Sequence, residues 1–511
     1  MKSVISLKKR YFSKIFSNFW GLLIGILVMG IFPRKLGPLA YGNFSFITQN
    51  ILNFFSFFNL SFSNCLFIKL SKDNNRHEPI SFMFLYFATV IFFLSGLAIV
   101  VVFAIKMNSR IWPDITISLI GLAYIWNIMN WYSSNLTALT DALALTVQTE
   151  IIKMIQKMFS LILVGTMLFF NFFTIEYFFY YQYLLFGFLI FSILVVLRKK
   201  RVSVFSHLSS DRLILLMKEF FKYSSPLIFL SFLGSLGQFL DLWYLQFFSG
   251  SVQQGYFGFS FKIISIPLLI ISPLIPVFTR DISSAIGSNR TEECVRLFER
   301  YFPFSRLLIT YFLVFIACQS KFIILFVGGK SYLDASFTLI VLCISYIFYI
   351  SSQMAAAILY AYEKTETIKN IQVPSILFGM CLGYFLISSE KFFGLDLGSL
   401  GLAIKTLITF FIMSSLNLYY SLKKLGLSFR RYFFQQFYFI AVTILPAYGA
   451  IFFIESFGLN GLISFLLSGF LYTLVLIVWG IKSPSMFYLQ KEDIQKVSSV
   501  IVNFREKVLS F

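Results

Sequence analysis

Charged residues are scarce in this chain. They make up 13% of its 511 residues, and the mean hydropathy is +0.82. A soluble protein of this size keeps about 25% charged residues to cover its surface. The chain is also 58% hydrophobic and contains 68 Phe residues. Most of its surface must therefore face lipid.

Cysteine and histidine are few and scattered. The five Cys residues form no C-x-x-C pair, and the two His residues, His77 and His207, lie far apart in the sequence. A disulfide framework or a metal site is therefore not expected. The D-x-D motif of a metal-dependent glycosyltransferase is absent from the sequence as well. These absences predict a protein that is not an enzyme and that carries no cofactor.

Long apolar runs follow one another along the chain. A helix needs about 20 apolar residues to cross a bilayer, and a helix satisfies its own backbone hydrogen bonds in lipid. About fourteen runs are long enough. They lie near 14–33, 44–68, 80–105, 114–138, 151–171, 174–197, 223–247, 257–279, 303–326, 336–360, 372–389, 399–420, 435–455 and 459–481. The sequence thus predicts an all-α polytopic membrane protein.

The distribution of Lys and Arg predicts the orientation of these helices. One side, which includes both termini and segments such as 139–157 and 280–306, carries about five times as many basic residues as the other. Basic loops stay in the cytoplasm. We therefore expect a multi-pass protein of the cytoplasmic (inner) membrane with both termini in the cytoplasm. The net charge of +20 is spread between apolar runs, which argues against nucleic acid as a partner.

A short motif occurs twice at equivalent places. Residues 37–46 are GPLAYGNFSF and residues 250–259 are GSVQQGYFGF, so both follow G-x4-G-x-F-x-F. Each joins two predicted spans on the predicted outer side, and repeated halves are common in transporters. We predict a first lobe at 1–200, a basic cytoplasmic segment at 201–222, a second lobe at 223–420, two further helices within 421–481 and a cytoplasmic tail at 482–511.

Several of these segments resemble one known family. Residues 32–42, FPRKLGPLAYG, are similar to the R-x-L-G-P-x-x-Y-G motif of oligosaccharide (O-antigen) lipid flippases. Further similarities are Pro226, Leu240-Asp241, Gly255-Tyr256, Phe261-Lys262 and residues 326–332, FVGGKSY. These flippases form the polysaccharide transport family of the multidrug/oligosaccharidyl-lipid/polysaccharide exporter superfamily, which also contains multidrug extruders and peptidoglycan lipid flippases.

The resemblance implies a fold, a substrate and partners. The fold would have two six-helix lobes that form a V around a cationic cavity, plus two C-terminal helices. The substrate would be an undecaprenyl-pyrophosphate-linked oligosaccharide, moved by alternating access for the synthesis of O-antigen (lipopolysaccharide), capsule or exopolysaccharide. Membrane lipids and polysaccharide polymerase or assembly proteins are the implied partners.

A cation-coupled multidrug antiporter of the same superfamily is the alternative function. Such a protein would need carboxylates deep in the first lobe to bind protons or sodium. The acidic residues there all fall near predicted span ends: Asp114, Asp141, Glu150 and Glu176. The sequence therefore favours the flippase.

Three charged residues fall within spans. Charges are costly in a membrane and mark functional sites. At about 1.5 Å per residue, Asp241, Lys262 and Lys405 share one layer roughly 10 Å below the outer boundary. We expect Lys262 and Lys405 to bind the pyrophosphate, with Asp241 orienting Lys262 or coupling to a cation. In the resemblance, Lys262 matches a cavity-lining basic position. The alternative is an Asp241–Lys262 ion pair that only pins a hairpin, with Lys405 extending towards the surface.

Four further basic residues are candidates at the two ends of the predicted path. Arg34 and Lys35 lie at the outer mouth of the first span, where they would receive the departing pyrophosphate, although topology also explains them. Lys153 and Lys157 share one helix face near the inner side. They are inner-gate candidates that would attract the anionic headgroup, and an ordinary helix-start position is the alternative.

Overall fold

A computed structural model describes residues 7–59, 77–143, 145–199, 218, 229–288 and 290–487. Nearly all of these residues are helical, and none of the described residues lies in a β-strand. The helices are α1 Leu7–Asn59, α2 His77–Ala104, α3 Ile117–Ala142, α4 Thr146–Phe170, α5 Ile175–Lys199, α6 at 229–249, α7 Gly250–Ile271, α8 Leu274–Gly287, α9 Thr291–Cys318, α10 Ser320–Val327, α11 Ser336–Ala361, α12 Thr365–Ile387, α13 Gly398–Leu425, α14 Phe429–Glu455 and α15 Gly461–Lys482.

Each predicted apolar span overlaps one of these helices. Nine of the described segments are long and apolar enough to cross a membrane, and one of them, Phe229–Gly287, contains α6, α7 and α8. The chain is therefore an all-α polytopic membrane protein, as the sequence predicts. The predicted tail beyond 487 and the basic segment 201–222, apart from Lys218, lie outside the described residues.

The predicted eighth span is two helices rather than one. Helix α7 ends at Ile271 and α8 begins at Leu274, with a turn between them that contains Pro273. Proline lacks the N–H that would bond to the preceding turn, and its ring clashes with that turn. Pro273 and Pro276 lie within four residues of each other at this break.

The first of two compact units contains the described residues of Met1–Phe259, Val327–Tyr332 and Met380–Leu402. The second half of α1 lies at its centre, where Phe46, Ile47 and Ile51 are fully buried. Polar side chains tie this half to its neighbours. The Trp112 Nε1–H donates to Asn50 Oδ1 at 2.9 Å, and Asn127 Nδ2 on α3 donates to a backbone carbonyl of α1 at 3.1 Å.

The second unit contains the described residues of Ser260–Phe326, Leu333–Gly379 and Ala403–Phe511. Helix α11 lies at its centre and buries many small side chains, which let helices pack closely in a membrane. The C-terminal α15 is held against α9, because the Tyr311 and Tyr472 rings stack with centroids 5.1 Å apart. The first unit takes segments from both predicted lobes, so the division into lobes 1–200 and 223–420 stays a prediction.

Candidate functional site

The first glycines of the two copies of the repeated motif adopt the same backbone conformation. Gly37 interrupts α1 with φ 77° and ψ 168°. Gly250 separates α6 from α7 with φ 78° and ψ 178°. Side chains rarely tolerate a positive φ of this size, which explains why each turn begins with glycine. The sequence repeat is thus also a repeat of local structure, at the predicted outer ends of two helix pairs.

The two repeated turns pack directly against each other within the first unit. A Cβ atom on Gly42 would overlap the Ser251 carbonyl oxygen and lie 2.8 Å from the Gly255 nitrogen. A Cβ atom on Gly255 would overlap the Pro38 carbonyl oxygen and lie 2.9 Å from the Pro38 carbonyl carbon. Ser251 and Pro38 occupy the same position in their own copies of the motif. The contact is therefore reciprocal, with each second glycine packed against the opposite turn.

Further contacts hold these turns in place. Gln253 of the second turn accepts hydrogen bonds through Oε1 from the Ser399 N–H at 3.0 Å and from the Ser399 hydroxyl at 2.7 Å, at the start of α13. Arg34 passes beside Gly329, where a Cβ atom would lie 3.5 Å from Arg34 Nε. The Lys35 ammonium lies 5.5 Å from the centroid of the Phe173 ring, a cation–π distance. Arg34 and Lys35 are both exposed, beside the first turn.

Gln253→Leu is expected to destabilise the purified protein by about 1–3 kcal/mol, because the Ser399 N–H and hydroxyl lose their acceptor. Thermal unfolding in detergent measures the effect. Gln253→Glu is the matched control: it keeps the acceptor oxygen and is expected to stay closer to wild type. Equal losses in both variants would show that the hydrogen bonds to Ser399 do not stabilise the turn.

Lys262 lies on α7 in the second unit, next in sequence to Phe261, which belongs to an aromatic cluster. Its side chain is exposed, and its ammonium has no hydrogen-bond or ion-pair partner among the described residues. The neighbouring Phe261 is 40% exposed, and its ring centroid lies 5.8 Å from that of Tyr346 on α11. The ring centroid of Phe410 on α13 lies 5.5 Å from that of Tyr346 and 5.0 Å from that of Tyr349. Of these four aromatic residues only Phe261 was named from the sequence, as part of the resemblance; the other three are inconspicuous in a chain with so many aromatic residues.

Lys405 lies on α13 in the same unit, about one turn before Phe410. It is half-buried and packs over Gly379 of α12, where a Cβ atom would lie 3.0 Å from Lys405 Cε. Gly379 thus leaves room for the lysine chain. Asp241 is half-buried on α6, in the first unit. The roles of Lys262 and Lys405 in substrate binding, and of Asp241 in orientation or coupling, stay predictions.

The two inner-gate candidates lie on α4, and Lys153 is paired with an acid. The Lys153 ammonium contacts Glu150 Oε1 at 2.9 Å, and the Glu150 side chain is only 1% exposed. Lys157 is half-buried and passes Gly21 of α1, where a Cβ atom would lie 3.7 Å from Lys157 Cε. The charge of Lys153 is therefore balanced within the protein, which weakens its case as an attractor of anionic headgroups.

Two buried charged side chains were not recognised from the sequence. Glu150 lies near a helix end as predicted, but its carboxylate is buried, and Oε2 has no hydrogen-bond partner among the described residues. The statement that no carboxylate lies deep within a span of the first lobe stays a prediction. Arg306, assigned to the cytoplasmic segment 280–306, is 1% exposed within α9. Apolar runs show where a chain meets lipid, but they do not show which polar side chains face inward.

Comparison with known proteins identifies similar folds only among solved structures. No protein-family model matches the chain, and no curated protein matches it in sequence. An inward-facing multidrug resistance transporter of the MATE family, in the MOP superfamily, has a TM-score of 0.62 at 12% identity, over 80% of this chain and 94% of that one. The lipid II flippase MurJ, in an inward closed conformation, has a TM-score of 0.59 at 14% identity, over 93% of this chain and 99% of that one.

A third similar structure is a MOP superfamily transporter from Pyrococcus furiosus, described as having a binding pocket of reverse polarity. Its TM-score is 0.55 at 13% identity, over 82% of this chain and 96% of that one. All three matches cover most of both chains, so the similarity extends to the arrangement of the helices along the sequence. This chain therefore has the fold of these MOP superfamily transporters.

Proposed function

We propose that the chain is a flippase of the cytoplasmic membrane that moves an undecaprenyl-pyrophosphate-linked oligosaccharide outward by alternating access. The observation that carries this proposal is the exposed ammonium of Lys262, which has no partner among the described residues. The adjacent residue, Phe261, contacts Tyr346, which in turn contacts Phe410. A lysine without a counter-charge within a predicted span is costly, so it should face a polar cavity or an anionic ligand.

The chemistry of this group of residues fits both parts of such a substrate. A lysine ammonium binds phosphate oxygens as a compact point charge. Aromatic faces are flat and carry partial negative charge, which suits the C–H faces of sugar rings. The similarity in fold to a lipid II flippase supports a lipid-linked substrate. The basic loops support the proposal that both termini lie in the cytoplasm. The proposed partners are membrane lipids and polysaccharide assembly proteins.

The reciprocal contact between the two repeated turns, at Gly42 and Gly255, is a candidate for the outer gate of the transporter. Gly42 and Gly255 bring two helix pairs into backbone contact at their predicted outer ends. A contact made by two repeated turns closes or opens as one unit, which suits a transporter built from repeats. We assign this contact to the closed state of the outer side, which must separate before a large glycan is released.

Deletion of the gene, followed by analysis of surface polysaccharide and of lipid-linked glycans, tests the proposed function. We expect loss of surface glycan, with undecaprenyl-linked repeat units accumulating on the cytoplasmic face. Re-expression of the wild-type chain should restore both. Normal surface glycan in the deletion strain would contradict the flippase function.

A cation-coupled multidrug antiporter is the second candidate, and the buried carboxylate of Glu150 favours it. If this function is correct, the deletion strain should keep its surface glycan and become sensitive to cationic drugs. Glu150→Gln should then reproduce the drug sensitivity of the deletion at normal protein level, because an amide cannot exchange a proton. Lys153→Met is the control for the ion pair itself. Resistance retained in Glu150→Gln would exclude Glu150 as the coupling group.

A further inference from the structure

A closed ring of polar side chains lies inside the second unit and is independent of the proposed transport site. Its central member is Arg306 on α9. The Arg306 Nε–H donates to the Ser351 hydroxyl of α11 at 2.8 Å, and Nη1 donates to the Tyr432 backbone carbonyl of α14 at 2.8 Å. Arg306 thus joins three helices from a position that is 1% exposed.

The ring is completed through α13. Next to Ser351, the Ser352 hydroxyl accepts a hydrogen bond from Asn417 Nδ2 at 2.9 Å. One turn before Asn417, the Ser414 hydroxyl donates to Gln436 Oε1 at 3.3 Å, and Gln436 lies one turn after Tyr432 on α14. The path therefore passes from α9 to α11, α13 and α14 and returns to Arg306. Ser351, Ser352, Ser414, Asn417 and Gln436 are all buried.

This ring carries a positive charge but no negative one. A guanidinium stays protonated in proteins. In the part of the chain that the structure describes, its partners are a hydroxyl, a carbonyl and the Phe302 ring, which lies 4.1 Å from Arg306 Cζ. Glu299, two turns earlier on α9, instead accepts a hydrogen bond from the Tyr432 hydroxyl at 3.1 Å. A buried charge without a counter-charge costs several kcal/mol, so an anion at this place would be strongly favoured.

Three buried hydrogen-bond donors in the ring and next to it are unused. Arg306 Nη2 is buried without a hydrogen-bond partner among the described residues, and so are Gln435 Nε2 and Gln436 Nε2. A helical carbonyl points towards the residues that follow it by one turn. The Tyr432 carbonyl that accepts from Nη1 therefore lies within one helical turn of Gln435 and Gln436. Buried donors usually find partners, as protein groups or small bound species.

We propose that this ring encloses a binding site for a small monovalent inorganic anion of the size of chloride, held by Arg306 Nη2 and the amide N–H groups of Gln435 and Gln436. The anion supplies the missing negative charge and strengthens the attachment of α14 to α9. Burial of every ring member excludes a lipid headgroup or a glycan from this place. The site is therefore structural, and it stands whether or not the chain is a flippase.

The test uses the purified full-length chain in detergent, with chloride itself as the probe. Thermal unfolding is measured in sodium chloride, sodium bromide and sodium gluconate at equal ionic strength, together with equilibrium binding of ³⁶Cl⁻. We expect the Tm to rise by several degrees and to increase steadily with chloride or bromide concentration above the Kd. Gluconate, which is too large for the buried site, should give no increase. Binding should saturate near one chloride per chain.

Two variants locate the site. Gln435→Glu places a carboxylate beside Arg306, so it should remove ³⁶Cl⁻ binding and leave a Tm that no longer depends on the anion. Arg430→Gln removes an exposed arginine of the same helix and should keep both responses. Absence of chloride binding to the wild-type chain would overturn the proposal and leave water as the only occupant. Chloride binding retained by a folded Gln435→Glu variant would overturn it as well.

Discussion

Gly42→Ala and Gly255→Ala are each expected to lower the stability of the protein and to abolish the proposed transport. Each new methyl group would overlap a backbone carbonyl oxygen of the opposite turn, at Ser251 and Pro38 respectively. Backbone atoms cannot rotate aside as a side chain does, so the two turns must move apart. Added volume in a packed contact costs about 1–3 kcal/mol. Thermal unfolding and complementation of a deletion strain measure the two effects.

The same substitution at open glycines is the control. Gly121 on α3 and Gly165 on α4 have no neighbouring atom within 4 Å of the place that a new methyl group would take. Gly121→Ala and Gly165→Ala should therefore be neutral or stabilising, because alanine favours a helix over glycine by about 0.5–1 kcal/mol. Wild-type transport and stability in both Gly42→Ala and Gly255→Ala would contradict the role of the contact as a gate.

A reversible cross-link distinguishes a gate from a fixed contact. Ser45 and Gly258 occupy equivalent positions in the two motifs, and a Cβ atom on Gly258 would lie 3.1 Å from Ser45 Cβ. Disulfides join Cβ atoms about 3.5–4.5 Å apart, so a small shift would allow one. The pair S45C/G258C, in a background without other cysteines, should stop transport when oxidised and recover it on reduction. Full transport in the oxidised form would show that the turns need not separate.

Much of the fold follows from the sequence because the solvent is lipid. Apolar runs had to become helices, and the predicted runs 399–420 and 459–481 agree with α13 at Gly398–Leu425 and α15 at Gly461–Lys482. The predicted span and the observed helix differ where the helix continues beyond its apolar part. Helix α9 begins at Thr291, well before the predicted start at 303, because charged residues of its first turns are also helical.

The contact between the repeated turns was not predictable from the repeat alone. The motif indicated two equivalent turns, and glycine at the first position agreed with a positive φ. Nothing in either copy specifies that Gly42 faces Ser251, since this depends on helices far apart in the sequence. The aromatic cluster that contains Phe261 was not predictable either, because Phe261, Tyr346 and Phe410 come from three separate helices.

Burial of Arg306 could have been predicted from the sequence, but counting charges on each side of the membrane did not reveal it. Cys294, Phe298, Phe302, Arg306 and Thr310 follow one another at intervals of four residues, which places them on one helix face. All five are buried. A helical period that passes through an arginine therefore indicates a buried guanidinium. Assigning residues to loops by their charge hides this pattern.

If the proposed function is correct, Lys262→Ala should reduce transport of the lipid-linked oligosaccharide by about tenfold to a hundredfold, because a hydrogen bond to a charged group contributes about 1.5–3 kcal/mol. The loss should appear as reduced surface glycan with lipid-linked repeat units accumulating inside, at a normal level of protein in the membrane. The stability of the protein should change little, because the Lys262 ammonium makes no hydrogen bond or ion pair among the described residues that the substitution would remove.

Two matched variants separate substrate binding from a general effect of charge. Lys262→Arg keeps a cation that binds phosphate and should retain most of the transport. Lys391→Ala removes an exposed lysine from the short turn Glu390–Phe392 and should leave transport unchanged. If Lys262→Ala transports normally at wild-type protein level, the ammonium does not bind the substrate. If Lys262→Arg is as inactive as Lys262→Ala, the site requires the shape of lysine, and binding of pyrophosphate by charge is the wrong explanation.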